Sequence, residues 1–274
     1  MNLLEDKSLA HLLEGELEQN ILKSAYSTVF NYHDPLRGCV FALLIRELIR
    51  IIMERLSPDK EVLSASWCNG SDWTYLKEGK PFVTRRARYR FAITGTISDE
   101  QIKKHPDLDV SKTVDELSRL VNKLSKYAHI SPGTTSPSVS MSNDFLAEVE
   151  DIFREYSDTL LNTKKKVKEI VYDLVHNEVN EHVMNAIPDE LDALSTHTYV
   201  EGISIDELQD FDTSLATPLL SGSATAEIEL NYGNEKEGVS MPDSYPVEFY
   251  VEIDPNTFGV SVESISVDTS KFYE

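Results

Sequence analysis

Arg86, Arg88 and Arg90 alternate along Thr84–Thr94, the most basic stretch of a 274-residue chain whose formal net charge is -21. On a strand, the period of two sets these guanidinium groups on one face and Ala87, Tyr89 and Phe91 on the other. Such a row suits the phosphate backbone of RNA or DNA, with Trp67, Trp73 or Tyr89 available to stack on bases. The competing use is internal pairing with the chain's own excess of carboxylates. A second constellation is Asn122, Lys126 and His129. At about 100° per residue, Asn122 and His129 fall roughly 20° apart on a helix, opposite the stripe of Val114, Leu117, Val121, Leu124 and Ala128. A histidine so placed can serve as acid or base in RNA cleavage, or cap the C-terminus of its helix, where the macrodipole favours a cation. His129 and Asn122 are therefore the candidate catalytic residues. Arg86, Arg88, Arg90 and Lys126 are the candidate nucleic-acid contacts.

Other chemistry is weakly represented. Glu178 and His182 stand at i, i+4 and could share a metal, but His176 and His182 are six apart and face different ways, so no metal site is expected. Cys39 and Cys68 have no CxxC partner, which removes a cysteine zinc site. No phosphate-binding loop, dinucleotide fingerprint, nucleophile elbow or HExxH is present, and the sequence names no cofactor.

These residues need elements to hold them. The spacing of Leu9, Leu12, Leu13, Leu17, Ile21 and Leu22 predicts helix within residues 3–30. Asp34-Pro35 is a helix start, and the helix it opens should run to about Leu56. Residues 61–97 read as an irregular segment ending in a strand over the basic run. Helix returns over Thr113–His129. Another helix is expected from Asn143 to Ile187, with a possible break near Asn162-Thr163, and Ser131–Ser142 forms the loop before it. From Leu194 the texture becomes alternating: Thr198–Val200, Ala226–Leu230, Val247–Ile253 and Val260–Ile265 read as strands. The expected fold is α+β: an N-terminal helical bundle with a short β insertion, then a small acidic antiparallel β domain. The expected division is 1–193 and 194–274.

Charge follows this division. Residues 201–274 hold 16 acidic and two basic residues, net -14, while the first 200 carry 31 acidic and 24 basic, net -7. A nucleic-acid-binding module shows the opposite bias, so contact with nucleic acid is expected through residues 80–130. The acidic end suits a protein partner or water. The longest apolar segment, residues 39–53, is broken by Arg46, Glu47 and Arg50, whereas a membrane span needs about 20 mostly apolar residues. No signal-peptide pattern opens the chain. The expectation is a cytoplasmic protein with no membrane contact.

The helix Asp34-Pro35-Leu36-Arg37 to Ile45-Arg46-Glu47-Leu48, with the helix Leu117 to Asn122-Lys123-Leu124-Ser125-Lys126-Tyr127-Ala128-His129, resembles the paired helices of HEPN-like bundles. Those bundles occur in prokaryotic defence and abortive-infection proteins. A longer series resembles the predicted nucleases associated with prokaryotic PIWI (Argonaute-like) proteins. It comprises Pro35-Leu36-Arg37, Arg46-Glu47-Leu48, Thr84-Arg85-Arg86-Ala87-Arg88-Tyr89, Asn122-Lys123 and Tyr127-Ala128-His129. Leu230-Asn231-Tyr232-Gly233, Tyr245-Pro246-Val247 and Val267-Asp268-Thr269-Ser270 extend it to most of the chain. The resemblance implies defence against phage or other foreign nucleic acid, as a nuclease effector. Two family features are absent. HEPN ribonucleases place an arginine four to six residues before a histidine, and here Lys123 stands six before His129. A restriction-type carboxylate pair followed by lysine is missing too, since Glu227-Ile228-Glu229 leads into Leu230-Asn231. The alternative is a non-catalytic adaptor or regulatory subunit of a defence system.

Overall fold

Apolar residues at three- and four-residue spacing dominate the first half of the chain, and the computed structural model forms helices there. It describes residues 3, 6, 9–31, 33–129, 143–209, 219–233, 238–254 and 256–273; the expected loop at Ser131–Ser142 lies outside them. The chain divides into two compact units, Met1–Lys165 and Lys166–Glu274.

The first unit contains α1 (Glu16–Val29), α2 (Arg37–Leu56), α3 (Asp59–Ser64), β1 (Thr74–Lys77), β2 (Lys80–Val83), α4 (Arg85–Thr94), α5 (Asp99–Lys104), α6 (Ser111–Ala128) and the opening of α7 (Asn143–Asn185). Asp34 and Pro35 fall just before α2, whose N-cap is Leu36, and Asp34 Oδ1 accepts from the Leu36 N–H at 2.8 Å in the turn that leads into the helix. The core is the sum of the helical stripes. Phe41, Ile45, Leu48 and Ile52 of α2 cluster with Leu22 and Tyr26 of α1, Leu117, Val121 and Leu124 of α6, and Val149, Phe153 and Tyr156 of α7. Burying a large apolar side chain contributes about 1.5–3 kcal/mol, so these stripes set the bundle's arrangement.

Two expectations need correction. The basic run Thr84–Thr94 is a helix, not a strand. Thr84 caps it, its Oγ1 accepting from the Ala87 N–H at 3.2 Å, and arginine and alanine are strong helix formers. The β insertion is instead the hairpin just before it, with Tyr75 opposite Phe82 and Lys77 opposite Lys80. Its turn residues Glu78 (φ 54°) and Gly79 (φ 75°) are both left-handed, the condition for a tight two-residue turn matching strand twist. Secondly, α7 runs unbroken through Asn162-Thr163. Thr163 is buried, so the inward stripe continues across the expected break.

In the second unit, Val167, Val171, Val175, Val179 and Val183 of α7 are all buried. After the short α8 (Asp189–Asp192), β3 (His197–Leu208), β4 (Leu219–Tyr232), β5 (Val239–Asp254) and β6 (Gly259–Val267) pair antiparallel in chain order. Asn180 Oδ1 accepts from the Ile203 N–H at 3.0 Å, and the Tyr172 hydroxyl donates to the Ile205 carbonyl at 3.3 Å. On β5, Tyr245, Val247, Phe249, Val251 and Ile253 are buried while Glu248, Tyr250 and Glu252 face outward. The period-two alternation read from the sequence is thus kept. The residue 193/194 boundary marks the change from helix to strand, whereas the compact units divide within α7. Among the described residues no helix is long and apolar enough to cross a membrane.

The first unit's core tyrosines make its stability depend on alkaline pH. Burial pushes the hydroxyls of Tyr26 and Tyr156 well up, and that of Tyr89 up to about 12. The unfolded chain releases these protons near pH 10, before the folded state does. Stability is therefore full below about pH 10 and falls as pH rises through the 10–12 window, by roughly 2–3 kcal/mol for Tyr89 alone. Urea midpoints should drop steeply between pH 9.5 and 11.5, and Tyr89→Phe should flatten that drop. A midpoint unaffected by pH in this range contradicts the burial of these hydroxyls.

Candidate nucleic-acid interface

Helices α2, α4 and α6 frame a groove of about 310 Å³, lined by Arg46, Glu47, Ile49, Arg50, Met53, Glu54, Arg85, Arg88, Tyr89, Val121 and Ser125. Its floor is apolar, from Ile49, Met53, Tyr89 and Val121, and arginines stand around it. Arg46 and Arg50 lie one turn apart on α2, a spacing that puts both on one face. Arg85 and Arg88 do the same on α4. Arg88 is locked in place: it pairs with Asp59 and donates to the Ser57 carbonyl at 3.1 Å, while the Ser57 hydroxyl donates to the Arg88 carbonyl at 2.8 Å. Two carboxylates share the groove. Glu47 accepts from Arg46 at 3.0 Å and Arg50 at 2.7 Å, and Arg50 also meets Glu54 at 2.7 Å. Arg50 first, and Arg46 after it, hold the Glu47 carboxyl below the usual range. The groove therefore gathers four guanidinium groups, of which Arg46 and Arg88 are half-buried and paired with Glu47 and Asp59 while Arg50 and Arg85 are exposed. Exposed guanidinium N–H groups such as those of Arg85 suit bidentate contact with phosphate.

The arginines expected in one row are split by the helix. Arg88 joins Arg85 at the groove. Arg86 and Arg90, one turn apart, turn elsewhere and line a separate cavity of about 170 Å³ with Trp73, Asp99 and Asp109. Arg86 pairs with Asp115 at 2.9 Å and lies 5.3 Å from the Trp73 ring centre. Arg90 is only 6% exposed, with its guanidinium 4.1 Å from the Trp67 ring centre and 5.1 Å from that of Trp73, and Nη2 2.6 Å from Asp99. Burial lowers its basicity, an effect that Asp99 opposes. Arg90 thus sits in the fold's interior.

Asn122 does reach the groove's arginines, its Oδ1 lying 3.5 Å from Arg85 Nη2. Lys126 is exposed one turn further along α6. His129 falls just past the helix end, in extended backbone (φ -83°, ψ 119°). It is exposed and is the C-cap of α6, its N–H still donating to the Lys126 carbonyl; seven residues at about 1.5 Å each set it ~10 Å along the helix from Asn122. Sequence reasoning passed over Arg46, Arg50 and Arg85 as site residues. Their i, i+3 and i, i+4 spacing was the available signal, hidden for Arg85 by the strand reading. Among the described residues no three His, Cys, Asp or Glu side chains are grouped to hold a metal ion.

The fold and groove define a class: an α+β protein of two units whose helical unit presents an arginine-lined cleft. A family model described as predicted pPIWI-associating nuclease matches residues 10–156, and a second model of the same description matches residues 160–273. The chain belongs to the predicted pPIWI-associating nuclease family. The two matches meet within a few residues of the division between the compact units. No curated protein and no solved structure matches the chain.

Proposed function

We propose that this protein binds nucleic acid through the α2/α4/α6 groove, as the nuclease effector of a cytoplasmic prokaryotic defence system that includes a PIWI-like protein. The convergence of Arg46, Arg50, Arg85 and Arg88 on one apolar-floored groove carries this reading, and the family membership supports it. In this reading α2 and α6 are the paired helices of a HEPN-like bundle. Guanidinium groups hold the phosphates, the Asn122 amide orients one of them, and His129 moves the proton. Lys126 extends the cationic edge along α6.

One feature favours a second reading, that of a non-catalytic adaptor. The strands β3–β6 contain no lysine or arginine, and Asp206, Glu227, Glu248 and Glu252 are exposed beside Tyr199 and Tyr250. A face of that kind suits a basic protein surface. One assay separates the two. Labelled single- and double-stranded RNA and DNA are incubated with the protein and its PIWI-like partner, with and without Mg²⁺. Arg85→Glu should weaken binding by about tenfold or more and reduce the salt dependence by roughly one phosphate contact, while His129→Ala should abolish cleavage and leave binding intact. Binding with no cleavage by the wild type selects the adaptor. No binding to any nucleic acid overturns the proposal.

A further inference from the structure

The β1–β2 hairpin carries an unusual face. Because side chains alternate along a strand, Tyr75 and Lys77 of β1 share a side with Phe82 and Lys80 of β2. Tyr75 and Phe82 are direct cross-strand partners, their rings stacked 5.7 Å apart at 25°. Yet Tyr75 is 51% and Phe82 36% exposed, so the stacked pair is open to water. Lys77 and Lys80 are the next cross-strand pair and are both exposed. Like charges directly opposite each other destabilise a hairpin, and the two rings, though they partly cover each other, leave much apolar surface in water. On the other side Val83 is buried with Trp67 and Phe91, while Leu76 and Pro81 are exposed. Both costs are relieved by one kind of ligand, with planar apolar rings and a regularly spaced negative charge.

We infer that this hairpin face is a stacking platform for single-stranded nucleic acid, taking a base on Tyr75 and Phe82 and adjacent phosphates on Lys77 and Lys80. Single strands offer free base faces, whereas paired bases in a duplex do not. Phe82 precedes Arg85 by three residues, a chain distance of at most about 10 Å, so the platform lies near the first of the α4 arginines. The inference rests on the nucleic-acid reading above and narrows its substrate to unpaired strands.

The test uses the full chain and fluorescence anisotropy with labelled oligouridine, oligothymidine and a mixed-sequence duplex. Tyr75→Ala/Phe82→Ala should weaken single-strand binding by about tenfold or more, change duplex binding little, and lower the unfolding midpoint only slightly; Tyr75→Phe should retain wild-type affinity. Equal affinity of the double variant and wild type for single strands overturns the inference, as does an equal loss on the duplex. Loss of binding to phosphatidylserine vesicles, with single-strand affinity intact, overturns it in favour of a membrane surface. Where the inference alone fails, Arg85→Glu still weakens binding while the hairpin variant does not. Where the groove reading fails, Arg85→Glu binds as wild type does.

Discussion

Replacing Arg90 by alanine is expected to lower the unfolding free energy by about 3 kcal/mol and to leave the affinity of the folded protein for nucleic acid unchanged. The side chain packs against both Trp67 and Trp73, whose rings meet each other edge to face at 5.2 Å. It also packs beneath Asp99, which is exposed. Truncation removes the cation–π contacts and opens a cavity beside the two indoles. It does not strand a buried charge, because Asp99 returns to water. That distinction predicts the behaviour of a second variant. Arg90→Met refills the volume and removes a guanidinium whose Nε has no hydrogen-bond partner among the described residues. Asp99 is exposed and keeps water as its partner, and methionine fills much of the volume without burying a charge, so it should recover more than half of the alanine loss. Urea unfolding of the three proteins measures both effects, and anisotropy at low temperature measures affinity. A variant with normal stability and lost binding would return Arg90 to the interface.

The failure of the sequence to place Arg90 has a physical origin. Over Arg86–Ile93 the chain alternates arginine with Ala87, Tyr89, Phe91 and Ile93, apart from Ala92 at its end, which is the pattern of a half-buried strand. The helix that forms is buried nearly all round: Ala87, Tyr89, Arg90, Phe91, Ala92 and Ile93 are inside. With only Arg85, Arg86 and Arg88 at its start partly in water, the wet face is too short for a 3.6-residue period to stand out, and the arginines that interrupt the apolar run disguise it further. The signals that decide the matter are at its ends. Thr84 provides an N-cap, and Gly95, at φ 57°, ends the helix in a conformation that favours glycine.

Elsewhere burial has a single direction, and the sequence is legible. In α2, Phe41, Ile45, Leu48 and Ile52 recur at helical spacing because one face meets the core and Arg46, Glu47, Arg50 and Glu54 remain outside. In β5 the alternation from Tyr245 to Ile253 is exact to the residue, since one face of the sheet is covered. The groove was less legible for a different reason. Arg46 and Arg50 look like ordinary solvated decoration until α4 brings Arg85 and Arg88 opposite them, and that approach depends on contacts distant in sequence, such as Ser57 with Arg88.

The sheet offers the sharpest energetic test, at Phe249 and Gly222. The two are register partners on β5 and β4, and the fully buried Phe249 ring lies over the glycine. A Cβ at position 222 would come 2.3 Å from Phe249 Cζ and 2.8 Å from the Glu207 carbonyl oxygen. That carbonyl belongs to the stretch of β3 where the register shifts between Ile205 and Glu207. Phe249→Ala should therefore cost about 3–5 kcal/mol, the range for removing a buried ring. Gly222→Ala should cost about 1–3 kcal/mol by overpacking, since the ring has no exposed side to retreat to. The two effects are not independent. Shortening the ring with Phe249→Leu removes the closer of the two clashes, while the Glu207 carbonyl still opposes the new methyl group. The double variant Gly222→Ala/Phe249→Leu should then be more stable than the sum of the single losses predicts, by about 0.5–2 kcal/mol, without reaching the stability of Phe249→Leu alone. Full recovery would mean that the bulged β3 backbone yields freely. Strict additivity in the double-mutant cycle would mean that the ring does not lie over Gly222.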